Sequence, residues 1–404
     1  YFEPSAGAAA TRLSYLAHFL YQQGHRVTVL TTLPHYPTGT VDKGYQGRPY
    51  IVEDRAGLRV IYTTLWTTNS PRISRKLFSQ LSFMTTASLR GLPIEKPDVV
   101  FIEAQPIFTG LAGRFISRMK GAPYVLNVSD LWPDHLLSVG ALTENSPVYK
   151  IARQTVDSGY RGATAITTMS PAWTRKIHGY LKNTNTEKVH TILRGTDTTI
   201  FTPDVDSSVF RETYQLNDKK LISFIGTFAT QYDFTTLLDA ISQLHHRDDL
   251  EFTMIGTGSQ RDAIIQRIRD DNLRVRYIDW VDHALMPQAW AASHINIWAM
   301  GDKALYRGTI PAKIFEAFAS GTPVAVAQGG DCAEIIKASG GGIAVQPGDI
   351  PGLVRAIETL LDDDARATHS KNARAYAEAL FSFDAAAHQY EQVLINAATQ
   401  SLDF

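Results

Sequence analysis

At 404 residues the chain exceeds one ordinary hydrophobic core, and about two domains of ~200 residues fit the usual size range. A composition that is 44% hydrophobic and 20% charged excludes a disordered chain, and a net charge of −1 argues against a bulk nucleic-acid partner. The single cysteine, Cys332, excludes an internal disulfide and a cysteine-rich zinc site and is compatible with a reducing cytoplasm.

The chain opens with a loop, Tyr1-Phe-Glu-Pro-Ser-Ala-Gly7, that leads into a helix over 8–23 closed by Gly24. Gly7 before a helix start can cradle an anion, although small residues there also serve packing. Arg26-Val-Thr-Val-Leu-Thr31 reads as a strand, followed by the proline-rich loop Leu33-Pro-His-Tyr-Pro-Thr-Gly39. Ligands of open α/β sheets sit beyond strand carboxyl ends, so His35 and Tyr36 are candidates for the acceptor side. A rigid surface turn explains them equally well. Further strands are expected at 59–64, 98–102, 123–128, 163–169 and 190–193, with helices at 71–92 and 109–119. Glu103-Ala-Gln-Pro106 and Ser129-Asp-Leu-Trp-Pro133 each follow a strand's carboxyl end.

The second half restarts the rhythm with a strand at 220–225, a loop from Gly226-Thr227 and a helix over 233–245. A strand from Leu250 ends in Gly256-Thr-Gly258, which lacks the third glycine and the following acidic residue of a nicotinamide site. A strand at 275–281 exits through Trp280 and Val281, and helices cover 350–361, 364–379 and 384–397. Between them, Tyr306-Arg-Gly-Thr-Ile-Pro-Ala-Lys-Ile-Phe-Glu316 is a glycine-bearing loop running into an apolar helix that Gly321 stops. Val324-Ala-Val-Ala327 is then a short buried strand. Lys313 and Glu316 stand three residues apart on one helical face. Beside the N–H groups of Gly308, Thr309 and Ile310 they form a pocket for an anion and a sugar hydroxyl. The other reading of the pair is a surface i,i+3 ion pair.

The Pro-x-Lys-Ile-Phe-Glu element, followed by Ala-Ser-Gly-Thr-Pro-Val, resembles the donor-binding signature of family 4 retaining glycosyltransferases of the GT-B fold. The subgroup it is most similar to is bacterial sugar transferases of polysaccharide and O-antigen assembly, including N-acetylfucosaminyltransferase-like members. Asp130-Leu-Trp-Pro133 matches the same subgroup, and the resemblance runs over nearly the whole chain. It implies two Rossmann-like doubly wound domains facing across a cleft. An acceptor-side domain would take 1–196, a nucleotide-sugar domain 197–383, and a last helix within 384–404 would cross back. Glu316 would accept from hydroxyls of the donor ribose, and Asp130 would face the reacting sugar, although a turn cap is its other role. With Lys313 these form the expected catalytic set. The donor side would comprise Gly7, Gly226, Thr227, Gly256, Gly258, Arg307, Gly308, Thr309 and Ile310, with Trp280 and Val281 at the base. His35, Tyr36, Glu103 and Trp132 would form the acceptor side.

Three positions depart from the family pattern. Gly308 stands where many members carry a second Glu, and Arg194 replaces the usual Asn of the interdomain link. No basic residue lies between Lys220 and Arg247, where members commonly hold the diphosphate with Arg and Lys. Backbone N–H groups, Lys313 and Arg307 would then neutralise the leaving diphosphate, with neither metal nor cofactor expected. Same-face attack would retain the anomeric configuration without a nucleophilic side chain. The implied partners are a nucleotide sugar, with UDP-sugar favoured, and a saccharide or polyprenyl-linked acceptor. The implied address is the cytoplasm, with the inner face of the cell membrane as an open alternative.

In the resembling family a hydrophobic strand precedes the opening loop, and here none is read. The expectation is a sequence short of a few N-terminal residues, with Tyr1 at the carboxyl end of a slot between the 26–31 and 98–102 strands. Asp204-Val-Asp206 lies in a polar linker rather than at a strand end, and the histidines show no metal-protease spacing. Two further functions stay open: a sugar-nucleotide epimerase, and a two-domain solute-binding protein. Finally, Leu77, Phe78, Leu81 and Met84 recur at helical spacing behind Arg72, Arg75 and Lys76. That basic amphipathic stretch suits either a membrane surface or the domain's own sheet.

Overall fold

Short apolar runs bounded by glycine or proline set the strands. In the computed structural model, which describes residues 2–5, 8–35, 39–68, 72–138, 142–216 and 218–400, Tyr124–Val128 and Ala165–Thr168 are buried at every position. Such burial is the mark of parallel strands covered on both faces. The expectations placed on Tyr1, Gly7 and Tyr36 lie outside the described residues. The chain divides into two units. One takes in the chain up to Leu193 and again from Ala386 onward; the other runs from Arg194 to Ala385.

The first unit begins with α1 (Ala8–Gln22), β1 (Thr28–Thr32), β2 (Tyr50–Arg55), β3 (Leu58–Thr63), α2 (Ile73–Gly91), β4 (Val100–Glu103) and α3 (Ile107–Lys120). It continues with β5 (Tyr124–Val128), α4 (Asp134–Ser138), α5 (Pro147–Gly162), β6 (Ala165–Thr168), α6 (Pro171–Tyr180) and β7 (Val189–Thr191). One sheet has the order β1-β3-β2, with β1 parallel and β2 antiparallel to β3. The other, β4-β5-β6-β7, is parallel throughout. Strands β1 and β4 therefore belong to different sheets. A cavity of about 1650 Å³ is lined by Val29, Leu30 and Thr31 from one and Val100 to Glu103 from the other. Tyr62 at the end of β3 donates its hydroxyl to the Glu3 carbonyl at 2.5 Å, and Phe2 is buried beside Leu33. Strand β2 has no counterpart in the sequence reading. Its Tyr-Ile-Val-Glu-Asp-Arg run is half charged, and it is held by pairing with β3 along its whole length.

The second unit carries α7 (Ser208–Thr213), β8 (Lys220–Ile225), α8 (Phe234–Leu244), β9 (Leu250–Ile255), α9 (Arg261–Asp270), β10 (Val275–Ile278) and α10 (Met286–Ala292). Then come β11 (Ile295–Ala299), α11 (Lys313–Ala319), β12 (Val324–Ala327), α12 (Asp331–Ser339), β13 (Gly342–Val345), α13 (Ile350–Leu361) and α14 (Asp363–Tyr376). The last helix, α15 (Phe383–Gln400), belongs to the first unit from Ala386 onward. Six strands form one parallel sheet in the order β10-β9-β8-β11-β12-β13. The chain winds from β8 outward to β10, returns to β11, and winds outward the other way. The strand order reverses between β8 and β11, which is where open α/β sheets bind ligands.

Candidate functional site

The loops that leave β8 and β11 are tied together at this reversal. Asp233 donates its N–H to Ala299 O and Gly301 to Gln231 O, both at 3.0 Å. The loop after β8 is also bound to the loop after β9, through Gly226 N to Ile255 O and Phe228 N to Thr257 O, both 2.9 Å. Gly256 has φ +131°, and a Cβ there would stand 2.1 Å from Gly226 O. Only glycine permits this approach of two backbones. Gly258 repeats the contact one step on, against Phe228. The glycines read from sequence as donor loops thus meet at one sheet edge, with Thr227 exposed between them.

Lys313 comes to the same place from α11. Its Nζ lies 3.5 Å from the ring centroid of Phe224 on β8, 4.4 Å from Tyr232, and 5.7 Å from Trp298 on β11. A Cβ at Gly226 would stand 3.2 Å from that nitrogen. The Lys313 amine is buried without a hydrogen-bond partner. Desolvation by burial drives its pKa well below the ordinary lysine value, and the neighbouring Glu316 carboxylate opposes that only in part. Glu316, one turn along α11, accepts a hydrogen bond from Trp290 Nε1 at 3.0 Å. No hydrogen bond joins Lys313 to Glu316, so the surface ion pair does not form: the lysine points into an aromatic box and the carboxylate toward α10.

The loop before α11 differs from expectation. Residues Ala304–Gly308 form a 3₁₀ turn, and the Thr309 N–H donates to Tyr306 O at 3.0 Å. The expected row of open N–H groups over Gly308 to Ile310 is therefore corrected: its central member is used by the turn. Gln328 anchors the loop, donating to Thr309 O at 2.8 Å and accepting from Trp298 Nε1 at 2.7 Å. Arg307 is exposed, with Nη2 3.5 Å from Asp302, and takes no part in the aromatic box. At the end of β10, Val281 is buried and Trp280 is 78% exposed, presenting an indole face to solvent.

In the first unit the polar residues past β4 and β5 converge on Glu103. Its carboxylate accepts from Arg12 Nη2 at 3.1 Å, from Asn127 Nδ2 at 2.7 Å and from the Ser129 hydroxyl. Asn127 Oδ1 in turn accepts from Thr167 at 2.8 Å and Tyr390 at 3.0 Å. Glu103 is thus locked by its neighbours, although it lines the large cavity together with His35 and Trp132. The His35 Nδ1–H donates to Leu33 O at 2.8 Å, and burial lowers the ring's pKa. Asp130 accepts from Leu131 N at 2.8 Å and lines a smaller cavity beside Trp132, Arg114 and Tyr160. Arg12, Asn127, Thr167, Tyr390 and Trp290 were absent from the sequence expectations. Asn127 carried a signal, being a polar residue inside an otherwise apolar strand; Arg12 and Tyr390, 378 residues apart, carried none.

Among the described residues no group of three or more His, Cys, Asp or Glu is placed to hold a metal ion. Comparison with known proteins gives two family models, a "Glycosyl transferase 4-like domain" over residues 7–195 and "Glycosyl transferases group 1" over residues 219–363. Over 377 residues the chain is 23% identical to WcaI of Escherichia coli (strain K12), assigned by name as a colanic acid biosynthesis glycosyl transferase, with 90% of each chain covered. Among solved structures, sucrose-phosphate synthase from Thermosynechococcus elongatus matches with TM-score 0.70 at 19% identity, over 98% of this chain and 94% of that one. HepE from Anabaena, crystallised with UDP-glucose, matches with TM-score 0.66 at 18% identity over 98% of both chains. The winding of the sheets and the glycine loops at their carboxyl ends agree with these matches: the chain belongs to the glycosyltransferases of the GT-B fold.

Proposed function

We propose that this chain moves a glycosyl group from a nucleoside diphosphate sugar, with UDP-sugar the favoured donor, to a saccharide or polyprenyl-linked acceptor in surface polysaccharide assembly. Transfer retains the anomeric configuration and takes place in the cytoplasm, at the inner face of the cell membrane. The observation that carries this reading is the convergence of the β8 and β9 glycine loops with Lys313 at the strand-order reversal. A diphosphate laid over those loops meets backbone rather than side chains, and Lys313 beneath them takes up a proton as the anion approaches. Glu316, oriented by Trp290, accepts from the ribose hydroxyls. The exposed Trp280 offers a stacking face for the base. The similarity to WcaI and to HepE with UDP-glucose supports the donor class and the pathway class.

The test is a panel of UDP-, GDP- and ADP-sugars incubated with and without saccharide acceptors, with products read by NMR. The expected result is acceptor-dependent consumption of a UDP-sugar and a new linkage with the donor's anomeric configuration. Formation of an isomeric nucleotide sugar without acceptor would identify an epimerase instead. Binding of free sugar without turnover would identify a solute-binding protein.

A further inference from the structure

The glycine loop and the loop tied to it leave the carboxyl ends of β8 and β11. A second group of charged side chains gathers at the amino ends of the same two strands, roughly 20 Å away at the rise of a parallel strand. His294, just before β11, is tied to the start of β8 twice: its N–H donates to Leu221 O at 2.8 Å, and its Nδ1 accepts from Leu221 N at 3.1 Å. A ring nitrogen that accepts carries no proton, so the neutral imidazole keeps its N–H donor at Nε2. Lys220 reaches from the first residue of β8 to the start of α14, donating to Leu361 O at 2.9 Å and to Asp363 Oδ1 at 2.8 Å. Arg366 follows Asp363 at i+3 and so shares its face of α14. Arg211 of α7 donates to Ala292 O at 2.8 Å, close in sequence to His294.

This group is short of negative charge. Three cations, Arg211, Lys220 and Arg366, share Asp363, a carboxylate 75% exposed and already bonded to Lys220. Lys220 and Arg211 each hold the last carbonyl of a helix, α13 and α10, which fixes where they stand. Arg366 has no such duty: its Nε is buried without a hydrogen-bond partner. Burial, and then Arg366, Arg211 and Lys220, push the His294 ring down to about 4, so at neutral pH it offers a donor without adding charge. An unpaired buried guanidinium N–H costs free energy that an anion would recover. We infer that His294, Arg366 and Lys220 form a phosphate site at the amino ends of β8 and β11, taking inorganic phosphate or a phosphomonoester. The planar guanidinium suits phosphate oxygens, and Lys220 keeps one N–H beyond the two it has used. The inference rests on these side chains and not on the sugar-transfer reading.

The His294 imidazole is the reporter. Its ring resonances, identified by their loss in His294→Gln, are followed by NMR as inorganic phosphate is added against sodium chloride of equal ionic strength. The expected result is a saturable shift specific to phosphate, with the His294 pKa raised because the bound anion offsets the cations around it. Methyl phosphate in a parallel arm separates an ester from the free ion, and a saturable shift with either supports the site. Arg366→Gln should weaken the phosphate response about 10-fold or more, and Arg366→Lys should restore part of it, with thermal unfolding as the folding control. A response equalled by chloride would overturn the inference. So would an Arg366→Gln response equal to that of wild type. Phosphate-dependent thermal stabilisation with unmoved His294 resonances would also overturn it, and would place the anion on the donor loops instead.

Discussion

Two charged side chains, the half-buried Glu103 at the end of β4 and the buried Lys313 at the start of α11, stand one in each unit and are treated in opposite ways. In the first unit Glu103 is met by Arg12, Asn127 and Ser129, and Asn127 is itself held by Thr167 and Tyr390. In the second unit Lys313 sits among three aromatic rings with no hydrogen-bond partner. A satisfied buried network fixes a local geometry; an unsatisfied buried amine carries a standing cost. The difference teaches which of the two is built for the protein and which for a ligand. Glu103 and its partners brace α1, β4, β5 and α15, whereas Lys313 is the group the proposed function gives to an incoming negative charge.

Breaking the satisfied region has the largest expected effect. Arg12→Met removes one partner of a part-buried ion pair, leaving the Glu103 carboxylate with fewer donors, and should cost about 1.5–3 kcal/mol of stability. Urea unfolding followed by fluorescence measures this, and UDP affinity should be unchanged at temperatures where the variant stays folded. A loss below about 1 kcal/mol would show that Asn127 and Ser129 suffice.

Lys313→Met should act in the other direction. Removing an unpartnered buried amine should raise stability by roughly 1–3 kcal/mol near neutral pH while turnover falls. The sign with pH follows from linkage. The folded pKa of Lys313 is depressed and the unfolded one is ordinary, so the unfolded state binds more protons between the two values. Wild-type stability therefore rises with pH through that window, and the advantage of Lys313→Met shrinks as pH approaches the unfolded lysine value. Thermal unfolding of both proteins across an alkaline series checks it; a constant difference would mean that the folded amine keeps its ordinary pKa.

Much of the fold was legible because parallel strands buried on both faces announce themselves as uniform apolar runs, as Val324–Ala327 does. The half-charged β2 was not, since its place depends on pairing with β3 rather than on its own pattern. For the site, Lys313 and Glu316 were visible as ionisable residues in an apolar helix, and the glycine loops were visible as breaks after strands. Their relation was not: the sequence allowed an i,i+3 ion pair, and only the absence of a side chain at Gly226 together with the rings of Phe224 and Trp298 turns the lysine inward. The Thr309 N–H was misread because the 3₁₀ turn over Ala304–Gly308 has no apolar periodicity to reveal it. Of the Glu103 network, Glu103 and Asn127 were open to reading, whereas Arg12 and Tyr390 were not, because they come from opposite ends of the chain.

The central claim is that the second unit holds the nucleotide, with Glu316 on the ribose. Calorimetric titration of UDP into wild type and Glu316→Gln, with thermal unfolding of both as the folding control, tests it most directly. A hydrogen bond to a charged group is worth roughly 1.5–3 kcal/mol, so the variant should bind UDP about 10- to 150-fold more weakly with an unchanged unfolding transition. Equal affinity in two equally folded proteins would contradict the account.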